Sequence, residues 1–440
     1  MTPIEWAAHL ERKLRAGRRE IDMFSMWYDG RQPVPPSSRE CSDAYRRLLE
    51  MGRTNWAALV VDAAADRLFV DGFRFSDDGD AGVSGDTAWG VWQASGMDAE
   101  SSDAILEALV SGRCPLMVTR RGDGSALITV EDPREVVLEV GPRGERLAAL
   151  KMFRDAERYR TVELMLPGAL YRWRSDAPDP PDMSDDRDLW VSRFGEPDVL
   201  AGDVEVPVFE LRANRRVGRR SEGRSELAGR LDSLRRIDKL SVDALVVAEF
   251  GAFRQKWATG MELPDEGEAP FRAAIDKLFV SEDSETKFGD FAATDLTGYL
   301  SAIERAVTHL AAVTKTPPHY LLSGMTNLSA DAIRAAEASL VMRVRRHQRA
   351  FGEPIEAAVR HALRIEGHVG LAADIRAETV WAKPETRTTA ELADGLAKLV
   401  AGIGMPREAA WAEFGASPQQ VAEWRAMSVR ERLFDAPVAA

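Results

Sequence analysis

The sequence predicts an α+β protein with more than one domain. Three features indicate this: apolar residues at helical spacing before residue 112, six short apolar segments between residues 114 and 173, and two amphipathic helices around a proline break at 294–351. Short alternating segments bounded by glycine, proline or aspartate are typical of an antiparallel sheet. A chain of 440 residues exceeds one ordinary core, so we expect two or three domains.

The first predicted elements are helices. Trp6, Leu10 and Leu14 share one face of an amphipathic helix over residues 3–30. Helical spacing of apolar residues returns over 42–70. The elements expected next are a strand at Leu68–Phe75, a loop rich in Gly, Asp and Ser at 76–87, a helix over 98–112 that ends at Gly112, and the strand meander of 114–173.

The second half of the chain begins with an acidic segment. Residues 175–210 carry eleven Asp or Glu against two Arg, a net charge of −9, and are interpreted as a surface loop or hairpin. A long helix is then expected from Ser225, a candidate N-cap, to Phe250. The elements predicted after it are a strand at 253–260, an acidic segment of net charge −7 at 261–295, the helix pair of 294–351, a strand at 379–384, and two or three short helices over 388–429.

Pro317 and Pro318 separate the two helices of 294–351. Because proline lacks an amide donor and its ring clashes with the preceding helical turn, a helix has to stop there. Gly324 and Asn327 favour turn conformations just beyond. The stretch is therefore predicted to present a polar loop between two long helices, and it holds no set of residues for covalent chemistry.

The composition is that of a globular protein with an acidic balance. Hydrophobic residues make up 45% and charged residues 29%, with a net charge of −13. A protein that grips nucleic acid by its phosphates would normally show a basic face, although an acidic protein can still meet DNA if it must let DNA pass. Cys41 and Cys114 are too few for a disulfide scaffold or a zinc site, and no apolar run approaches the roughly 18 residues of a membrane span. We expect a soluble, intracellular protein, unless it leaves the cell inside a larger assembly.

The sequence predicts no catalytic residue, no cofactor and no metal site. A P-loop and a GxSxG serine motif are absent from the sequence. His361, Glu366 and His368 have the wrong spacing for a zinc peptidase. The basic cluster at 343–349 has two readings: a solvated helix face with salt bridges to a neighbour in a ring, or a contact with a phosphate backbone.

Several segments, taken in chain order, carry a family resemblance. They are YDGRQPVP at 28–35, NWAALVVDAAADRLFVDGFR at 55–74, ITVEDPREV at 128–136, GRSELAGRLDSLRRIDKLSVDALVVAEFGAFRQKWATG at 223–260, DLTGYLSAIERAVTHLAAVTKTPPHYLL at 295–322, SADAIRAAEASLVMRVRRHQRAFG at 329–352 and WAKPETRTTAELADGLAKLVAGIG at 381–404. The ordered set resembles the portal proteins of tailed bacteriophages, in the form common among phages of actinobacteria. The loop at 76–96 and a short C-terminal crown depart from that pattern.

The resemblance implies a portal architecture with an α/β wing, a two-helix stem, a small clip and a helical crown. The implied bounds are 1–222 for the N-terminal part of the wing, 223–252 for the first stem helix, 253–293 for the clip, 294–316 for the second stem helix, 317–330 for the tunnel loop, 331–367 for a long kinked helix of the wing and crown, and 368–440 for the wing return and short crown.

The resemblance also implies a function and partners. Such proteins form homo-oligomeric rings, dodecamers, at one vertex of the capsid, and double-stranded DNA is packaged and ejected through the ring. The implied partners are the terminase large subunit, the major capsid and scaffold proteins, and the head–tail connector, with no membrane partner. The expected location is the virion vertex, with the host cytoplasm as the place of assembly. Because terminase is the motor, a portal needs no P-loop of its own.

Specific residues acquire expected roles from the resemblance. The tunnel-loop residues expected nearest the DNA are Ser323, Met325, Thr326, Asn327 and Ser329. The clip residues expected to contact terminase are Glu262, Asp265, Glu266, Glu268, Glu282 and Asp283. The candidates for contact with DNA or with a neighbouring subunit are Lys315, Arg343, Arg345, Arg346 and Arg349.

Two other functions stay open at this point. Another ring-forming head–tail connector is one, although 440 residues and two stem-like helices favour a portal. A nucleic-acid-modifying or capsid-maturation enzyme is the other, and it would show a pocket with converging titratable groups or a metal.

Overall fold

The computed structural model divides the chain into two compact units. Unit 1 comprises Met1–Ser25, Val61–Glu226 and Asn327–Ala440, and unit 2 comprises Met26–Val60 and Leu227–Thr326. The residues that the structure describes are 1–35, 43–76, 83–178, 198–201, 205–218, 222–252, 256–259, 287–290, 295–321, 330–385, 389–416 and 418–435. Helices and strands are mixed along the chain, which confirms the α+β class.

Helix α1 (Pro3–Tyr28) starts the chain, as predicted. Thr2 and Glu5 form a capping box, because the Glu5 carboxylate accepts from the Thr2 N–H (2.7 Å) and Thr2 Oγ1 accepts from the Glu5 N–H (3.3 Å). Leu10 and Leu14 are buried within unit 1. They pack against Leu150, Trp173 and their neighbours in a five-stranded sheet.

The six strands predicted over 114–173 are confirmed, but they belong to two antiparallel sheets. The strands are β2 (Arg113–Arg120), β3 (Ala126–Val130), β4 (Val136–Val140), β5 (Arg146–Arg154), β6 (Tyr159–Leu166) and β7 (Ala169–Pro178), with β8 (Asp198–Ala201) and β9 (Val208–Arg212) following. One sheet has the order β4-β5-β6-β7-β8, and the other has the order β3-β2-β9. The chain changes sheet at Asp132-Pro133, where a proline suits a strand boundary.

Strand β9 corrects the last part of the interpretation of 175–210 as a surface loop or hairpin, whereas the antiparallel pairing of β7 with β8 agrees with a hairpin. Residues 208–212 are all buried, and they pair with β2 in the register Leu116↔Phe209 and Cys114↔Leu211. The acidic residues before β9 dominate the composition of the segment and obscured this short buried strand. The acidic residues 179–197 and 202–204 lie outside the described part of the chain.

Two helices lie immediately before β2 in the chain. They are α4 (Val83–Ala94) and α5 (Met97–Ser111). The loop predicted over 76–87 is therefore too long, since 83–87 is helical; Trp92 anchors α4 by an edge contact with Phe73 (5.3 Å between ring centroids). The predicted end of α5 at Gly112 is confirmed. Gly112 has φ +96°, and a Cβ there would approach the Ser225 amide nitrogen to 2.9 Å, so glycine is required.

The C-terminal part of unit 1 is mainly helical. Its elements are α9 (Ala330–Ile365), α10 (Val369–Ala372), β12 (Glu378–Trp381), α11 (Thr389–Ile403), α12 (Arg407–Phe414) and α13 (Pro418–Asp435). Strand β12 pairs antiparallel with β1 (Val70–Arg74), far away in sequence. The predicted strand at 379–384 and the predicted set of two or three short helices are both confirmed.

Unit 2 contains the helix pair and a small strand pair. Its remaining elements are α2 (Asp43–Met51), α6 (Leu231–Ala252), β10 (Lys256–Thr259), β11 (Lys287–Asp290), α7 (Thr297–Thr314) and α8 (Pro318–Leu321), and α3 (Trp56–Ala65) begins in it. The prediction that α6 starts at Ser225 is wrong. Gly229 adopts φ +78°, outside the helical region, so the helix begins only after it. Strands β10 and β11 pair antiparallel, and 260–286 lies outside the described residues.

Candidate functional site

Helices α6 and α7 pack against each other within unit 2. Leu234 and Ile237 on α6, and Val307 and Leu310 on α7, are almost completely buried. Leu300, two turns before Val307, is 57% exposed although it continues the apolar side of α7. The helix pair therefore buries Val307 and Leu310 in its own contact and leaves Leu300 exposed near the start of α7.

The break after α7 is an ordered helix cap. Lys315 adopts φ +57° and its N–H donates to the last carbonyls of α7, while the Thr316 N–H donates to Ala311 O (3.0 Å). This is the geometry of a Schellman-type end, in which a left-handed residue satisfies the terminal carbonyls. Thr314 Oγ1 and Thr316 Oγ1 lie 3.0 Å apart and both side chains are buried, whereas Lys315 is exposed. Pro318 then opens the one-turn helix α8, where proline is tolerated.

Helix α6 is fixed inside unit 2 by a buried carboxylate. Asp238 accepts hydrogen bonds from the Thr54 N–H (2.9 Å), from Thr54 Oγ1 (2.6 Å) and from Gln32 Nε2 (3.1 Å). A Cβ on Gly52 would meet Val242 Cγ2 at 2.3 Å, so the loop after α2 approaches α6 at backbone distance. The contacts anchor α6 to the segment 32–54 by polar bonds as well as by apolar packing.

Helix α9 turns one charged face inward. Arg343 and His347 are 3% and 1% exposed, and His347 Nε2 lies 2.7 Å from Glu226 Oε1. Asn214 Nδ2 donates to the same oxygen at 3.0 Å. Burial favours the neutral acid, but the hydrogen bond with His347 and the charge of Arg343 outweigh it, so the pKa of Glu226 lies well below its usual range. The basic cluster at 343–349 is therefore partly an internal ionic network of unit 1.

The remaining arginines of that cluster are exposed. Arg345 is about half exposed and bonds to Glu385, and Arg346 bonds to Asn214 Oδ1. Arg349 is also exposed. Of the predicted contacts with DNA or a neighbour, Lys315, Arg345, Arg346 and Arg349 thus reach the surface of their own unit, and Arg343 does not.

The other predicted site residues lie outside the described part of the chain. These are the tunnel-loop residues Ser323, Met325, Thr326, Asn327 and Ser329, and the clip residues Glu262, Asp265, Glu266, Glu268, Glu282 and Asp283. The structure describes what borders these segments: the helix cap at Lys315 precedes the tunnel-loop residues, and the strand pair β10–β11 encloses the clip residues.

Metal and membrane sites were sought over the described ranges. There, His, Cys, Asp and Glu side chains form no group of three or more that could hold a metal ion. Over the same ranges, no helix combines the length and the apolar character that a bilayer crossing requires.

Comparison with known proteins decides the family. Residues 8–431 match the family described as Phage portal protein, SPP1 Gp6-like. The chain belongs to this family of phage portal proteins. It is 31% identical over 400 residues to a portal protein of Mycobacterium phage D29, covering 85% of this chain and 78% of that relative. A portal protein of Mycobacterium phage L5 is 31% identical over 401 residues with the same coverage. The family resemblance expected from the sequence is confirmed.

The polar anchors at Asp238 and Glu226 were not predicted from the sequence. Asp238 and Gln32 are 206 residues apart, and Glu226 and His347 are 121 apart. No local pattern marks such pairs, because each residue type is ordinary in its own helix or loop. A charged residue at an apolar position of a helical stripe, as Asp238 and Arg343 are, was the available signal.

Proposed function

We propose that this portal-family chain assembles into a closed ring of twelve copies at one capsid vertex and forms the conduit for double-stranded DNA. The match over residues 8–431 carries the proposal. The exposed Leu300 near the start of α7 is consistent with it, since a ring would give this side chain a covering neighbour. A ring arises when a head-to-tail interface closes on itself.

The charge of the chain suits a conduit. At −13 per chain, twelve copies carry roughly −150. A negative surround repels phosphate, so DNA slides without being retained. The loop 317–330 is the proposed tunnel loop, and its residues Met325, Thr326 and Asn327 are uncharged. In this proposal α6 and α7 are the stem helices that line the channel.

The segment between β10 and β11 is the proposed clip, the docking site for the terminase large subunit and then for the head–tail connector. Its flanking strands are antiparallel and pair Thr259 with Lys287, so the two ends of the segment lie side by side. Its carboxylates suit a basic partner surface. Capsid and scaffold proteins are the proposed partners of the wing, which we assign to 1–222 with the C-terminal return from 368.

Ring formation is tested by the size and shape of the purified protein. Sedimentation velocity and negative-stain electron microscopy should show a closed ring with a central channel. A protein that remains monomeric or dimeric under all assembly conditions would overturn the proposal.

Deletion of residues 262–288 tests the clip. The variant should lose terminase binding in a pull-down while the sheets of unit 1 keep their hydrogen-exchange protection. Unchanged terminase binding would refute the assignment.

Charge changes in the loop 317–330 test the tunnel. Asn327→Asp or Thr326→Lys should impair DNA packaging or retention because each places a charge beside the moving phosphates, while ring assembly continues. Normal genome filling by both variants would contradict the tunnel-loop assignment.

A further inference from the structure

Helix α9 presents one solvent-facing stripe that unit 1 leaves uncovered. Ala338, Met342, Arg345, Arg346 and Arg349 are exposed and recur at intervals of three or four residues, so they share one side of the helix. We call these five residues the outer face of α9. The opposite side is buried and carries Leu340, Val344, His347 and Phe351.

The outer face has the composition of a protein interface. Met342 is 63% exposed in the middle of a long helix. Methionine and arginine are both enriched where proteins meet, because one adapts to irregular apolar surface and the other makes planar, bidentate bonds with carboxylates. A thioether gains nothing against a phosphate backbone, so Met342 argues for a protein partner.

Two of the three arginines already hold acceptors within unit 1. Arg345 bonds to the Glu385 carboxylate, and Arg346 bonds to the Asn214 side-chain oxygen. These bonds hold the guanidinium groups beside Met342, which lowers the entropy lost when a partner binds.

We propose that the outer face of α9 binds a carboxylate-bearing surface of a second copy of this chain. Each copy carries 71 Asp and Glu against 58 Lys and Arg, so a second copy offers carboxylates with which a cationic stripe can pair. Pairing of two outer faces would set arginine against arginine, which disfavours a two-fold contact. The contact is therefore head-to-tail, the type that closes into a ring. The inference rests on the ring of the proposed function and names one of its interfaces.

Charge reversal and its matched control test the contact. The variants are Arg349→Glu and Met342→Glu, with Arg349→Lys as the conservative change and Arg143→Glu as an equal charge change in the exposed β4–β5 turn. Mass photometry across a protein dilution series gives the concentration at which rings form. Hydrogen exchange over 330–365 shows that each variant keeps α9 folded.

We expect Arg349→Glu and Met342→Glu to raise the concentration needed for ring formation at least tenfold, Arg349→Lys to raise it by less because the charge is kept, and Arg143→Glu to leave it nearly unchanged. A second arm measures binding of a short double-stranded DNA by fluorescence anisotropy at two salt concentrations. Normal rings with weakened DNA binding would overturn the inference in favour of a phosphate contact. Normal rings with unchanged DNA binding would overturn it in favour of a solvated face. Wild-type protein that never forms rings would refute the proposed ring itself, and this interface with it.

Discussion

Two regions of unit 1 bury their apolar residues to very different extents. Between α1 and the sheet β4–β8, Leu10, Leu150 and Trp173 are at most 1% exposed. In the C-terminal helices, Ile403 and Leu399 are 77% and 42% exposed. Among the described residues of 389–431, Leu396 and Ala410 are the buried ones. One region has a complete core within a single chain, and the other does not.

The two regions are also attached differently. The sheet is held by backbone ladders and by apolar side chains on both faces. The described contacts of the C-terminal helices with the rest of unit 1 include two exposed ion pairs, Arg334–Glu391 and Lys383–Glu413. Exposed pairs contribute about 0–1 kcal/mol each. The difference indicates a chain made to be a subunit, with a self-sufficient core and helices whose apolar sides remain available to neighbours.

Truncation of one apolar side chain in each region tests the comparison most strongly. Leu150→Ala should lower the free energy of unfolding by about 4 kcal/mol, because it removes a side chain packed between Leu10 and Trp173 and leaves a cavity. Ile403→Ala should change the free energy of unfolding of the isolated chain by less than about 0.5 kcal/mol, since the side chain already faces solvent.

The measurement is urea denaturation of the dissociated chain, with hydrogen exchange of β5 and of α11 reporting each region separately. Equal losses for the two variants would break the comparison, because they would show that the C-terminal helices bury Ile403 in solution.

The next prediction concerns the buried ionic network of α9, because the stability of unit 1 depends on buried charges as well as on apolar packing. Glu226→Gln should cost about 3 kcal/mol at neutral pH, because Arg343 and His347 then lack the buried carboxylate. The folded-state pKa of Glu226 is depressed, so its contribution is present above the unfolded value of 4.5 and is lost as pH falls below that value toward the folded pKa.

The gap in unfolding free energy between wild type and Glu226→Gln should therefore narrow steadily as the pH is lowered below about 4.5. Exposed Glu157→Gln serves as the control, and it should show a much smaller gap at neutral pH. A gap that is independent of pH would show that Glu226 acts by shape rather than by charge.

Local features of the fold could be predicted from the sequence. The stripe of α1, the six strands of 114–173 and the end of α5 at Gly112 each follow from the spacing of nearby residues or from one glycine. The family could be predicted because an ordered set of segments covers nearly the whole chain. Each of these features can be recognised from residues that are close together in the sequence, or from the order of segments along the chain.

Long-range pairing could not be predicted. The separation of β3 and β4 into two sheets depends on β9 reaching β2, and β1 finds β12 from the far end of the chain. The start of α6 depends on the positive φ of Gly229, which the surrounding helical pattern conceals. Arg343 faces inward beside Glu226, and Glu226 lies 121 residues before His347, the other cationic partner on the same helix.

The helix end at the proline break gives a smaller expected effect than Leu150→Ala or Glu226→Gln, and it sharpens the comparison from unit 2. Lys315 is a non-glycine residue at φ +57°, a conformation that costs an L-residue roughly 1–2 kcal/mol. Lys315→Gly should raise the free energy of unfolding of unit 2 by about 1 kcal/mol, because relief of this strain exceeds the added freedom of the unfolded chain.

Lys315→Ala keeps the Cβ and loses the charge, so it should show no such gain. Urea denaturation, with hydrogen exchange of the last turn of α7, distinguishes the two. Equal stabilisation by both variants would assign the effect to the charge. A gain from glycine alone would show that the backbone at Lys315, just before the proposed tunnel loop, is strained. The buried side chains of Thr314 and Thr316 on either side would then be what holds it in that conformation.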